Sequence, residues 1–313
     1  AMYNFLFCYD SNYNIPASCS IISLLNHVNE KVNIYIMHQD ESNSEFLPIN
    51  IRSHNMLNIL KVYKVNLNNY KFPNIHGSHV SEATYYRLFI QDYLEDDIEF
   101  ITYLDCDAFC INNPLPTIEN EIKNLKKSEL VISSIRETSL TEHGKQINMK
   151  SEKYFNAGVM VINFETWKKN NLKDHFLNIL NTFNTKLRFW DQDVLNIYFD
   201  GNYQIMDENL NFRIDMGIDH REEIINEEQQ KNVIFVHYSG KFKPWTVRGA
   251  VNNNSKYFQE IFRDLFKRKY FILFNYKKNA VNDLVRSFMN RSLFRTDYPL
   301  HFIKDTIFAI VKK

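Results

Sequence analysis

The sequence predicts an α/β fold, a mixed but mainly parallel sheet flanked by helices, with a helical, basic extension at the C-terminal end. Three observations predict it. Apolar runs and helical patterns alternate as β-α-β-α-β over residues 5–67, an order that builds parallel strands with helices on both faces. Further short apolar runs follow, and several end in Asp, Asn or His side chains. Charge is divided: residues 261–313 hold 12 Lys and Arg against 4 Asp and Glu, whereas residues 1–260 hold 25 against 33. An acidic body therefore carries a basic tail.

With 313 residues, 44% hydrophobic and 24% charged, the chain is globular and long enough for one large domain or two small ones. No apolar run approaches the roughly 18 residues of a membrane-spanning helix. The start, Ala1-Met2-Tyr3-Asn4-Phe5, lacks the basic segment and small-residue cleavage site of a signal peptide. Cys8, Cys19, Cys106 and Cys110 form no C-x-x-C pair. The expectation is a cytoplasmic protein with reduced thiols.

Residues 5–9 read as a buried strand that stops at Asp10-Ser11-Asn12. Pro16 opens a helix with Ile21, Leu24, Leu25 and Val28 at helical spacing. Residues 32–37 read as the second strand, 56–60 as a short helix and 62–67 as the third strand. Ligands of such sheets sit beyond the carboxyl ends of the strands, which puts Asp10 and Asn12 on the functional edge; turn chemistry explains the same two residues locally. Residues 69–79, with Pro73, Gly77 and His79, read as a loop, and residues 81–89 as a helix start with an acidic first turn. Arg87 in that helix either lays its stem along the surface or reaches a phosphate or carboxylate.

Residues 100–104 form an apolar run into Asp105-Cys106-Asp107. In an extended chain residues i and i+2 share a side, so the two carboxylates would face one divalent cation; a solvated strand end is the plain alternative. Residues 130–135 and 154–163 are further strands. The second is interrupted by Asn156-Ala157-Gly158, where small residues allow close approach and Asn156 offers a buried amide to a sugar hydroxyl. A helix is expected from Phe164 to about Phe183. Asp191 reads as the cap of a helix starting at Gln192, although Asp191-Gln192-Asp193 is unusually polar between Trp190 and Val194. A strand at 233–236 delivers His237, with Gly240 and Lys243 just beyond; His237 would complete an O,O,N set for Mn²⁺ or Mg²⁺.

Taken together, these segments resemble glycosyltransferase family 8, most closely its LgtC-type lipooligosaccharide galactosyltransferases. The resemblance rests on Phe7-Cys8-Tyr9-Asp10-Ser11-Asn12-Tyr13, Ala83-Thr84-Tyr85-Tyr86-Arg87-Leu88, Tyr103-Leu104-Asp105-Cys106-Asp107, Tyr154-Phe155-Asn156-Ala157-Gly158-Val159, Asp191-Gln192-Asp193-Val194-Leu195-Asn196 and His237-Tyr238-Ser239-Gly240-Lys241-Phe242-Lys243-Pro244-Trp245. It implies a GT-A fold, a UDP-sugar donor, a Mn²⁺-type metal and transfer with retained configuration. By position, Asp105, Asp107 and His237 would hold the metal, Asp10 the uracil, Asn12 the ribose, and Gly240 and Lys243 the diphosphate. Arg87, Asn156 and Asp191 would hold the donor sugar, and Gln192 would lie under the anomeric carbon. Two residues depart from the pattern. Cys106 replaces an aliphatic residue, whose backbone contact to the nucleotide it could still make, and Arg136 is the approximate counterpart of an Asp that lies near the acceptor in that family.

The expected organisation is a transferase domain over 1–255 and a basic aromatic helical region over 256–313. In the latter, Phe262, Phe266, Tyr270, Phe271, Phe274, Tyr276, Phe288, Phe294 and Phe302 interleave with Lys and Arg. Such helices lie on anionic membranes or pack on the domain. The expected partners are a UDP-sugar, a lipid-linked or lipopolysaccharide acceptor and the inner face of the cytoplasmic membrane, with no nucleic acid. The alternatives are glucose transfer to a surface protein glycan, a non-catalytic sugar-nucleotide binder, or a nucleotidyltransferase. The last lacks support, because residues 10–17 contain no Gly-rich loop.

Overall fold

The computed structural model describes residues 2–73, 81–183, 186–217 and 223–312; Gly77 and His79 of the expected loop lie outside the described residues. Ten strands are found among the described residues: β1 Tyr3–Tyr9, β2 Val32–His38, β3 Leu57–Lys64, β4 Phe100–Leu104, β5 Ala108–Cys110, β6 Ile132–Arg136, β7 Phe155–Asn163, β8 Gln204–Ile205, β9 Phe212–Asp215 and β10 Phe235–Ser239. Seven form one sheet in the order β3-β2-β1-β4-β7-β6-β8, and the other three form a small sheet, β5-β10-β9. The pairs β1–β2, β2–β3, β1–β4 and β6–β8 are parallel, and β7 runs antiparallel between β4 and β6. This is the mixed, mainly parallel sheet that the sequence predicts.

The alternation of side chains along β1 divides the core. Leu6 and Cys8 face a cluster built on Tyr85, Tyr86, Phe89, Trp167 and Phe176. Phe5, Phe7 and Tyr9 face the opposite cluster, beneath the helix Asn14–His27. Both faces of the sheet are covered, which is why its strands read as continuous apolar runs.

Three expectations need correction. Residues 57–60 belong to β3, not to a helix, because Leu57, Ile59 and Leu60 pair in parallel with Val32, Asn33 and Ile34; long-range pairing overrides the local pattern. The helix expected over 164–183 is two, Phe164–Lys169 and Leu172–Phe183. The break falls where Asn171 takes a left-handed φ of 47°, a conformation Asn tolerates better than most residues. The segment Glu82–Asp92 winds as a 3-10 helix rather than an α-helix. Three residues per turn bring positions i and i+3 onto one edge, and Thr84 and Arg87 use that edge to reach the same carboxylate.

The C-terminal residues do not form one uniform amphipathic layer. The helix Lys256–Phe266 places Phe258 and Phe262 in a cluster with Phe109, Tyr238 and Trp245. Tyr270, Ile272, Leu293 and Phe302 pack with Val247 and Ala250. Tyr276, Phe288 and Phe294 are instead 54%, 61% and 55% exposed. We expect Phe262→Ala to lower the urea-unfolding free energy by about 3–5 kcal/mol, the usual range for a buried Phe. Phe288→Ala should change it by less than about 0.5 kcal/mol.

Candidate active site

A cavity of about 680 Å³ opens at the carboxyl edge of the main sheet. Asp10 follows β1 and Asp105 follows β4, so both stand on its wall. The chain between β4 and β5 turns, with the Ala108 N–H donating to the Asp105 carbonyl at 3.1 Å. Asp105 and Asp107 are therefore brought together by a turn and not, as expected, by alternation along an extended strand. That turn carries the chain from the large sheet into the small one. There β5 runs antiparallel to β10 with Ala108 opposite His237, and the Tyr238 N–H donates to the Asp107 carbonyl at 3.0 Å. Ligand atoms of Asp105, Asp107 and His237 consequently lie within 4.8 Å of one another.

A chain of amides sets the state of His237. Gly158 N–H and Asn211 Nδ2 both donate to Asn156 Oδ1, at 3.0 Å each. Asn211 then presents its Oδ1 to His237 Nδ1 at 2.8 Å. In the neutral ring this makes Nδ1 the donor and leaves a lone pair on Nε2. Nε2 faces Asp107 Oδ1 at 3.2 Å and Asp105 Oδ2 at 3.8 Å, and Asp107 Oδ1 is buried without a hydrogen bond. Converging oxygen and nitrogen lone pairs fit a divalent cation. Gly158 makes the cradle: a Cβ there would stand 2.2 Å from His237 Cε1 and 3.0 Å from Asp105 Oδ2. The close approach expected at Gly158 is thus made by two side chains of the cluster. Burial pushes the Asp107 pKa up, but Lys243 and His237 outweigh it and hold the carboxyl well below its usual range. Lys243 Nζ lies 2.5 Å from Asp107 Oδ2 and donates to the Tyr238 carbonyl at 2.6 Å.

Arg87, buried, joins the two halves of the cavity. Its Nη1 donates to the Ala157 carbonyl at 2.5 Å, and its Nη2 lies 3.3 Å from Asp105 Oδ1. Nε is 2.5 Å from Asp191 Oδ2, a contact of charges without hydrogen-bond alignment. The guanidinium also lies over the Tyr103 ring, whose hydroxyl donates to Asp105 Oδ1 at 2.7 Å. Asp191 Oδ1 accepts from Thr84 Oγ1 at 2.7 Å. Burial raises the Asp191 pKa to about 6, against the opposing pull of Arg87 and Thr84.

The helix Trp190–Phe199 begins before Asp191, so Asp191 is not its cap. Asp193 ties down the entry to this helix, accepting the N–H groups of Arg188 and Phe189 at 2.7 and 2.9 Å. Trp190 takes a left-handed φ of 47°, a strain of roughly 1–2 kcal/mol held immediately beside Asp191. Gln192 Oε1 accepts from the Ala157 N–H at 2.9 Å, and its Nε2 donates to the Tyr154 hydroxyl at 3.3 Å.

The remaining predicted residues divide. Asp10, Cys106, Asn156 and Gly240 line the cavity. Asp10 also accepts the Asn12 N–H at 2.8 Å, so its turn role and its place on the wall coexist. Gly240 has a φ of 80°, a conformation that favours glycine. Asn12 is exposed and outside the lining. Arg136 is exposed as well, donating to the Glu152 carbonyl at 3.2 Å. The neighbouring residue faces inward instead: buried Glu137 pairs with Arg213 and accepts from Ser139 Oγ at 2.5 Å. The sequence reading missed Asn211, Glu137 and Arg213, which lie in no recognised motif. It also missed Thr84 and Tyr103, which sit inside motifs but whose partners are distant in sequence.

A carboxylate–imidazole cluster at the carboxyl edge of a mixed α/β sheet is the arrangement of a metal-assisted group-transfer enzyme. The family model for glycosyl transferase family 8 matches residues 4–249, and the chain belongs to that family. It is similar to general stress protein A of Bacillus subtilis, 26% identical over 80% of this chain and 87% of that protein. It also matches the lipopolysaccharide 1,3-galactosyltransferase of Salmonella typhimurium, 32% identical over 54% of this chain and 50% of that one. The lipopolysaccharide 1,2-glucosyltransferase of Escherichia coli is 27% identical over 75% and 71%. The solved galactosyltransferase LgtC superposes with a TM-score of 0.67 at 19% identity, covering 84% of this chain and 96% of that one. The fold is accordingly the GT-A type that the motifs imply, and the enzyme is a glycosyltransferase with a sugar donor and a saccharide acceptor.

Because its folded pKa of about 6 lies above the ordinary Asp value, Asp191 favours folding while protonated, and that contribution is lost as pH rises through about 6. Relative to Asp191→Asn, wild type should lose up to about 3 kcal/mol of unfolding free energy between about pH 4 and pH 7. Urea titrations of both proteins at stepped pH measure this; parallel stability profiles would contradict it.

Proposed function

We propose that this chain is a retaining hexosyltransferase that moves galactose or glucose from a UDP-sugar to a saccharide acceptor in bacterial cell-surface glycan synthesis, lipooligosaccharide or lipopolysaccharide in particular. The observation that carries the reading is the convergence of Asp105, Asp107 and His237 on the same cavity as Asp191 and Gln192. The lipopolysaccharide galactosyl- and glucosyltransferases among its relatives support the sugar and the acceptor class.

In this reading Asp105, Asp107 and His237 hold Mn²⁺ or Mg²⁺. When bound, the metal offsets the charge of the diphosphate as it leaves. Lys243 and Gly240 take the diphosphate from the other side, Lys243 turning its ammonium from Asp107 toward phosphate oxygen. Asp10 and the backbone of Cys106, both on the cavity wall, hold the nucleoside, whereas Asn12 lies outside the lining. Arg87, Asn156 and Asp191 orient the donor hexose. The bond between the anomeric carbon and the UDP oxygen breaks. The acceptor hydroxyl then bonds to that carbon from the face the diphosphate leaves, and its proton passes to the departing phosphate oxygen. Configuration is kept without a covalent sugar–enzyme bond. Two features favour this front-face route over the two-carboxylate route. Gln192 offers a neutral amide oxygen already bonded to Ala157, and Asp191 has one oxygen on Thr84 and the other against Arg87.

UDP release from a panel of UDP-sugars, without acceptor, tests the proposal. We expect slow hydrolysis of one hexose donor with Mn²⁺, lost with chelator and reduced about 10²-fold or more in Asp107→Asn. Asn211→Ala, which removes the hydrogen-bond partner of His237, should weaken Mn²⁺ binding by about 10–100-fold, read by paramagnetic resonance. Failure to bind UDP would overturn the reading.

We further propose that residues 1–255 form the transferase domain, that the helix Lys256–Phe266 packs on it, and that the exposed outer part of 256–313 rests on an anionic membrane, at the inner face of the cytoplasmic membrane. No helix among the described residues is long and apolar enough to cross a membrane. Exposed Phe288, Met289, Phe294, Leu300, Phe308 and Val311 lie in the same segment as Arg291, Arg295, Lys304 and Lys312, a combination suited to interfacial binding. Co-sedimentation with anionic liposomes should fall sharply in the triple variant Phe288→Ser, Met289→Ser, Phe294→Ser, whose sites are exposed. Unchanged sedimentation would remove the membrane role.

A further inference from the structure

A second cavity, of about 480 Å³, lies between the loop after β10 and the start of the helix Lys277–Met289. It shares a wall with the first. Gly240 and Lys243 line the site described above, while Lys241 and Phe242, between them, line the second cavity. Its far side is made by Asn275, Tyr276, Asn279, Asn282 and Asp283. Its volume falls within the roughly 300–1,000 Å³ of small-molecule sites.

The lining chemistry narrows the ligand. Three carboxamides supply both donors and acceptors, the complement of vicinal hydroxyls. Tyr276 is exposed and brings an aromatic body with a polar tip, which matches a sugar ring with one apolar face of C–H groups. In the lining Lys241 stands against Asp283, and the nearby Arg248 guanidinium lies over the Phe242 ring at 4.4 Å, so carboxamides outnumber charged groups on the cavity wall. The geometry points to a saccharide subsite, and we propose that it holds sugars of the acceptor glycan beyond the one that reacts. This rests on the transferase reading above and adds a second binding locus to it. An acceptor chain lying across residues 240–243 would place its reacting hydroxyl in the first cavity and its preceding sugars in the second. Binding energy gathered away from the reacting atoms then positions the hydroxyl.

Saturation-transfer NMR on the full chain, with galactose- and glucose-containing di- to pentasaccharides and saturating UDP, tests this. At least one saccharide should give a signal that UDP does not displace. Tyr276→Ala and Asn279→Ala, both at exposed positions, should each weaken it roughly tenfold. UDP-sugar hydrolysis without acceptor should stay within about twofold of wild type in both variants, because the donor site is untouched. Absence of any bound saccharide, or a signal unaffected by either substitution, overturns the proposal. So does a signal displaced by phosphatidylglycerol vesicles, which would assign the cavity to a lipid. Hydrolysis reads the transferase site and the saccharide signal reads the second cavity, so the two readings fail separately.

Discussion

The geometry of the site depends on one turn. Between β4 and β5 the chain leaves the seven-stranded sheet and enters the three-stranded one, and the Ala108-to-Asp105 hydrogen bond closes that passage. Asp105 belongs to the end of the large sheet, while Asp107 leads into the small sheet. His237 comes from the opposite strand of the small sheet, across from Ala108. Backbone pairing, rather than attraction among like-charged groups, brings the three together. That matters energetically, because the two carboxylates repel one another, a cost that Arg87 beside Asp105 and Lys243 beside Asp107 offset. The sheets supply the organising free energy, and Gly158 leaves the space the ring needs.

Arg87 is the second constraint. A buried guanidinium must be matched by charge and by hydrogen bonds, and here Asp105, Asp191 and the Ala157 carbonyl provide them. The same residue gives its N–H to Gln192. One guanidinium therefore ties Asp105 to the helix that carries Asp191 and Gln192. The tight winding of Glu82–Asp92 stacks Thr84 over Arg87 at the same carboxylate, where an α-helix would offset the two by about 60° around its axis.

Much of this was legible in the chain. The β-α-β-α-β order, the carboxylates after β4 and the imidazole after β10 could be read from runs of apolar residues and the polar residues that end them. What could not be read was whatever depends on contacts across the sheets. Residues 57–60 lacked a local strand signal and became strand through β2. Asp191 looked like a cap because Asp commonly caps helices, yet its partners lie more than 100 residues away in sequence. Asn211 gave no signal at all: a single Asn before a short strand becomes meaningful once β9 pairs with β10 and the amide faces His237.

The aromatic residues of the C-terminal segment show the same limit most sharply. Spacings of three and four describe a helix face but not what covers it. Phe262 and Phe288 sit in comparable basic, aromatic contexts, yet one is fully buried against Phe258 and the other is exposed. The difference lies in the body of the protein: Trp245 and Phe109 wait for the first helix, while Phe288 meets the ring of Phe294, which is itself exposed. Burial and exposure, which composition alone does not distinguish, are thus divided along the segment. Its first part packs on the body of the protein, and its outer part is exposed. Where the two meet, the helix beginning at Lys277 forms one side of the second cavity. That cavity shares the stretch 240–243 with the first one, so the C-terminal segment borders the route into the cavity that Gln192 lines.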